Sequence, residues 1–147
     1  MLHEQFRLST LRALPIFEPL SDDELEHLRP ALTVRTCSVG DVVVEEGTPG
    51  DELYVLLVGE AKVVRSHRQP HEKIIAVLNP IEVFGEMALL TGELRSASVI
   101  ATDTCRLLSL TREALEAVLM QHPSVCLTLL RDAYRRMKLM SRAVEPI

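Results

Sequence analysis

The chain has 147 residues, 47% hydrophobic and 25% charged, which supplies one closed core and leaves no length for a second domain of ordinary size. Its formal net charge is -5, and its basic residues are scattered apart from Arg131, Arg135, Arg136 and Lys138, which argues against nucleic-acid binding by this chain alone. The N-terminal MLHEQFRLST has no apolar run for a signal peptide and no stretch is long and apolar enough for a membrane segment, so 1–147 reads as a single cytoplasmic domain.

Residues 1–32 read as N-terminal helices. Leu8, Leu11 and Leu14 lead into Pro15, and Ser21-Asp22-Asp23-Glu24 is a capping box flanked by Leu20 and Leu25 as its hydrophobic staple. Two short helices joined at 16–20 satisfy this pattern. From 33 to 110 the texture is β-rich: short apolar runs at 42–46, 53–58, 61–65, 74–78, 97–100 and 105–110, each bounded by Gly, Pro, Asp or Asn. All six glycines, at 40, 47, 50, 59, 85 and 92, fall in this region. Such a series predicts an antiparallel sandwich or barrel-like roll.

Helical character returns over 111–143, with Thr111 as N-cap, Leu110 and Leu115 as staple, and Pro123 in the first turn of a last helix running to about Ala143. Along it Leu127, Leu130, Tyr134, Met137, Ser141 and Val144 form an a/d stripe. This fits either a face packed on the chain's own β-roll or a two-stranded coiled coil that makes a homodimer. The fold class is therefore α+β, mainly β: an antiparallel β-roll flanked by N-terminal helices and two C-terminal helices.

Cys37, Cys105 and Cys126 are odd in number and lack metal-ligand spacing, so they read as reduced, mostly buried thiols. His67 and His71 lie four apart in SHRQPHE, a hairpin loop without the helical face of a metal site, and read as solvent-exposed. His3, His27 and His122 are isolated, and no Ser, Cys or Asp has a companion base, so nucleophilic catalysis has no support. Tyr54 and Phe84 read as core aromatics.

The chemistry concentrates in 84–99, FGEMALLTGELRSASV. A short helix after Gly85 would turn free N–H groups toward an anion, and Arg95 would bring a planar fork of donors from the other side. Glu86 makes sense beside an anion if it accepts from a neutral hydroxyl of the same ligand, as in a nucleotide sugar. Spacing alone equally fits an ordinary Glu86–Arg95 ion pair across a turn, with Gly85 only bending the chain.

The runs FGEMALL (84–90) and RSASV (95–99), with the upstream GDVVVEEGTPGDELYVLLVGEAKV (40–63), resemble the cyclic-nucleotide-binding domain family of the catabolite-activator and protein kinase A regulatory-subunit type. The resemblance covers about residues 10 to 143. It implies a phosphate-binding cassette at 84–99 and a regulatory ligand, cAMP or cGMP, with no metal and no enzymatic activity. It places the ribose-binding acid on Glu86 and the phosphate-binding arginine on Arg95. Gly85 and the N–H groups near Met87 and Ala88 would line the phosphate, and Ser96 and Ala97 would add a hydroxyl or backbone donor. Ser96 resembles the threonine of cGMP-preferring members, but serine also occurs in cAMP binders, and cAMP is the expected ligand. The base would be covered from the last helix, between Leu130 and Ser141, and movement of that helix would pass the signal to an effector protein or fused domain. Two further readings keep the fold: the sensor part of a catabolite-activator-type transcription regulator without its helix-turn-helix, and a scaffold that has lost its ligand.

Overall fold

The computed structural model describes residues 7–140. The N-terminal segment forms α1 (Leu8–Arg12), a 3₁₀ turn at Pro15–Phe17, α2 (Asp22–Leu28) and a second 3₁₀ turn at Arg29–Ala31. The capping box at the start of α2 is present: Glu24 N donates to Ser21 Oγ at 3.2 Å, and Ser21 N donates to Glu24 Oε1 at 2.8 Å. Two orphan donors of the first turn are thus satisfied reciprocally. Leu20 and Leu25, the expected staple, are both buried.

Eight strands follow among the described residues: β1 (Leu32–Cys37), β2 (Val42–Val44), β3 (Glu52–Val58), β4 (Ala61–Arg65), β5 (Lys73–Leu78), β6 (Val83–Phe84), β7 (Ser98–Ala101) and β8 (Cys105–Thr111). They form two antiparallel four-stranded sheets, ordered β1-β8-β3-β6 and β2-β7-β4-β5. α3 (Glu86–Thr91) interrupts the roll after β6, and α4 (Arg112–Gln121) and α5 (Pro123–Met140) close the described chain. The expected architecture is present: an antiparallel β-roll with helices before and after it. Thr111 caps α4 by accepting from Ala114 N at 3.3 Å, and Pro123 opens α5.

Six strands coincide with the sequence expectation, and two differ from it. β1 begins at Leu32, inside the stretch that reads as N-terminal helix, and only Leu32 and Cys37 at its ends are buried. β6 is two residues long, too short for any alternation to register. β2 ends at Val44, two residues short of the apolar-acidic run that predicted it.

The apolar run of β3 explains the layering. Leu53, Tyr54, Val55 and Leu56 are all buried, which a strand achieves only when both faces of its sheet are covered. Leu53 and Val55 join Leu108 and Leu110 against the helices, packing with Leu11, Phe17, Leu25 and Leu129. Tyr54 and Leu56 point the other way, toward Val44, Leu78, Phe84, Val99 and Leu107 between the sheets. One sheet is thus sandwiched between the helices and the other sheet. Tyr54 and Phe84 stack with ring centroids 5.2 Å apart in that inter-sheet core.

Candidate functional site

β6 delivers the chain to Gly85, which takes φ +83° and serves as N-cap of α3, and Gly92 with φ +76° ends it. Both values lie in the left-handed region that side chains with a Cβ rarely adopt, so a six-residue helix is turned in and out abruptly. Its first-turn N–H groups have no intrahelical acceptor. Past Gly92 the chain returns toward β7 carrying Arg95, Ser96 and Ala97.

Gly85, Glu86, Met87, Ala88, Arg95, Ser96 and Ala97 all line one cavity of about 340 Å³, within the range of small-ligand sites. Its floor is the inter-sheet core, at Val44, Val63, Leu78, Phe84 and Val99. Glu86 is 3% exposed and Arg95 8%, so the two charged groups are buried against the same space and do not form an exposed pair across a surface turn. Met87 and Ser96 are exposed, and Ala88 and Ala97 are buried. Ala133 of α5, buried, reaches the cavity wall from within the segment expected to cover the ligand. Leu130, Arg131, Tyr134 and Arg135 of that segment are exposed, while the Met137 side chain, Ser141 and Val144 lie outside the described residues.

The surroundings of Arg95 are backbone. Nη1 donates to Gly85 O at 2.7 Å and Nη2 to Glu52 O at 2.9 Å. Two of the guanidinium's five donors are thereby occupied. A Cβ at Gly85 would lie 2.6 Å from Nη1, and one at Gly50 would lie 2.6 Å from Cζ, so the two glycines admit the guanidinium between two stretches of main chain. Arg95 N donates to Thr48 O, and Gly47 N to Arg95 O, both at 2.8 Å, fastening the same loop to the other side of the residue. Burial pushes the Arg95 pKa down, and Tyr54, Asp51, Glu86 and Glu52 oppose that shift. The group stays cationic at neutral pH. The site is a largely desolvated cation beside one buried acid, opening on an apolar cavity: it suits a small ligand with one negative charge, a hydrogen-bonding hydroxyl and an apolar body.

Sequence reasoning missed Gly50, the carbonyl of Glu52 and the apolar floor. Gly50 was visible as one of the motif glycines, but nothing in its residue type states that it makes room for Arg95. The other sequence expectations are partly revised. His67 is half-buried, not solvent-exposed, with Nδ1 2.5 Å from Glu72 Oε1, and His71 is exposed. His122 is not isolated: its Nε2 lies 2.5 Å from Glu24 Oε2, joining the α4–α5 junction to α2. Cys37 and Cys105 are buried and Cys126 is exposed, and all three are free thiols. Among the described residues no group of three or more His, Cys, Asp or Glu could hold a metal ion, and no helix is long and apolar enough to cross a membrane.

Over most of its length the chain is similar to known proteins. The family model described as "Cyclic nucleotide-binding domain" matches residues 34–122, which includes the loop behind Arg95 and the whole of α3. The chain is 31% identical over 128 residues to the cyclic AMP receptor protein of Thermus thermophilus, covering 87% of this chain and 59% of that protein. It is 35% identical over 103 residues to human cGMP-dependent protein kinase 2, covering 68% of this chain and 13% of the kinase. Among solved structures, the Thermus thermophilus catabolite activator protein superposes with a TM-score of 0.74 at 32% identity, over 84% of this chain and 58% of that one. The chain thus spans little more than half the length of the Thermus relative and a small part of the kinase. By its family model and by these likenesses, the chain belongs to the cyclic nucleotide-binding domain family.

Proposed function

We propose that this chain is a cytoplasmic regulatory module that binds a cyclic purine nucleotide, cAMP in preference to cGMP, and converts occupancy of its cavity into movement of α5. The observation that carries the reading is the burial of Glu86 and Arg95 against one cavity. A cyclic phosphodiester carries one negative charge and sits next to a ribose hydroxyl, so one desolvated cation and one buried acceptor match it group for group. In this reading Arg95 takes the exocyclic phosphate oxygens, with Gly85 and the amides of Met87 and Ala88 beside them. Glu86 accepts from the 2′-hydroxyl, Ser96 and Ala97 add donors, and the base lies over the apolar floor toward Ala133. The preference for cAMP is supported by the likeness, over most of the chain, to a protein named for that nucleotide.

The module is read as non-enzymatic and as a single domain over 1–147. Its relatives include a receptor and the regulatory subunit of a cAMP-dependent kinase. α5 is the movable element because it borders the cavity through Ala133 while turning Leu127, Leu130 and Tyr134 outward. Its outward face is the proposed homodimer contact and the route to a downstream effector. A second reading, supported by the 58% coverage of the catabolite activator structure, makes the same module the sensor part of a transcription regulator.

The test is calorimetric titration of the parent and Arg95→Ala with cAMP and cGMP. The parent should bind cAMP more tightly than cGMP, and Arg95→Ala should lose about 2 kcal/mol or more, beyond tenfold in affinity, because the phosphate is left poorly neutralised. Equal affinities of parent and variant would refute the assignment, and a parent that binds neither nucleotide would favour a scaffold that has lost its ligand.

A further inference from the structure

Because Arg95 is held by main-chain atoms, its aim depends on what holds that main chain. On one side the Gly85 carbonyl is fixed between β6 and α3. On the other, the 50–52 segment is gripped from the start of α4: Arg112 N donates to Asp51 O at 3.0 Å, and Arg112 Nη2 donates to Gly50 O at 2.9 Å. These bonds fall on the two residues just before Glu52, whose carbonyl receives Arg95 Nη2. Gly50 is also where a Cβ would come within 2.6 Å of Arg95 Cζ and 2.8 Å of Nε. A shift of a few tenths of an ångström in this segment therefore has to move the guanidinium. Arg112 itself does not line the cavity, and its Nε is buried with no hydrogen-bond partner.

We propose that Arg112 is a positioning residue for the anion end of the cavity. By holding the Gly50–Glu52 backbone it aims Arg95, and it ties the first turn of α4 to the state of the site. α4 leads through His122 directly into α5, so the same contact gives phosphate engagement a rigid path to the helix that borders the cavity at Ala133. The inference rests on the cyclic-nucleotide reading above and adds to it a residue that touches no ligand.

The experiment titrates the parent, Arg112→Ala and Arg112→Lys with cAMP and with its two diastereomeric phosphorothioates, in which one or the other exocyclic oxygen is sulfur. A guanidinium aimed at one of those oxygens makes the parent discriminate between the diastereomers. Arg112→Ala should weaken cAMP binding about tenfold and compress that discrimination, and Arg112→Lys, which can still donate to Gly50 O, should recover part of both. A purely structural role would lower the melting temperature and weaken all three ligands alike, leaving their ratio intact. That result, or parent-like affinity and ratio in Arg112→Ala, overturns the inference. Where Arg112→Ala does not fold, Arg112→Gln, with a shorter reach, is judged by the same two numbers. A parent that binds no cyclic nucleotide overturns the reading of the cavity as a whole, whereas a parent that binds and discriminates beside indifferent Arg112 variants overturns only the role of Arg112.

Discussion

Gly50 and Gly85 press on the same guanidinium for different reasons. Gly85 needs its φ of +83° as well as the space, so a side chain there is strained before it meets anything. Gly50 needs only the space: a Cβ would approach Arg95 Cζ to 2.6 Å and Ala88 Cβ to 2.8 Å. Arg95 is the longer and softer neighbour, but its Nη atoms are tied to two carbonyls, and Ala88 is fixed on α3. Gly50→Ala should therefore displace the guanidinium and weaken cAMP about tenfold in calorimetry, with a smaller change in melting temperature than Gly85→Ala causes. Unchanged affinity in Gly50→Ala would mean that the arginine has slack that the bonds to Gly85 and Glu52 do not suggest. The contrast also marks what was legible in the sequence. Glu86 and Arg95 announced themselves by side-chain chemistry, whereas Gly50, Glu52 and Arg112 act on or through main-chain atoms that every residue type possesses.

Among the elements, the junction between α2 and the end of α4 carries a charge-dependent contact. Glu24 serves two partners at once: Oε1 accepts from Ser21 N in the capping box, and Oε2 meets His122 Nε2 where α4 gives way to α5. The hydrogen bond from the Ser21 backbone and then that with the Ser21 side chain hold the Glu24 carboxyl below its ordinary pKa, against a desolvation effect that exceeds the further pull of the nearby His122. A carboxyl whose pKa is depressed by folding stabilises the fold at pH above its unfolded value, and that contribution is lost as pH falls through the folded one. The melting temperature of the parent should hold from neutrality to about pH 5 and then decline. Glu24→Gln should melt below the parent at neutral pH and converge with it in acid, as followed by scanning calorimetry. Curves that stay parallel to low pH would show that the carboxylate charge contributes nothing. The Ser21-to-Glu24 spacing revealed the cap, but not its second partner 98 residues on, because contacts between distant elements leave no local pattern. β1 and β6 escaped notice for a related reason: their pairing with β8 and β3 makes them strands, not any alternation of their own.

For the molecule as a whole, the informative asymmetry is in α5. Val125, Leu129 and Ala133 are buried, whereas Leu127, Leu130 and Tyr134 are 52%, 62% and 39% exposed. The helix carries two apolar stripes, and sequence alone could not say which one faces its own domain, since both repeat at helical spacing. The stripe that resembles a coiled-coil seam turns out to be the outward one, at least through Tyr134. Pairing through this face should be sensitive to whatever steadies the helix. A ligand packed against Ala133 steadies it within one turn of both Leu130 and Tyr134. Linkage then makes the effect reciprocal: whatever factor the nucleotide adds to dimer affinity, dimerisation adds to nucleotide affinity. Sedimentation at low micromolar concentration should show a monomer–dimer equilibrium that cAMP shifts toward dimer, and apparent cAMP affinity should rise with protein concentration. Leu130→Glu, which sets like charges against each other across the seam, should leave monomers whose cAMP affinity no longer depends on concentration. A parent that remains monomeric at tens of micromolar, with and without cAMP, would show that the outward stripe is not a self-pairing seam, and ligand affinity would then be indifferent to both concentration and Leu130→Glu.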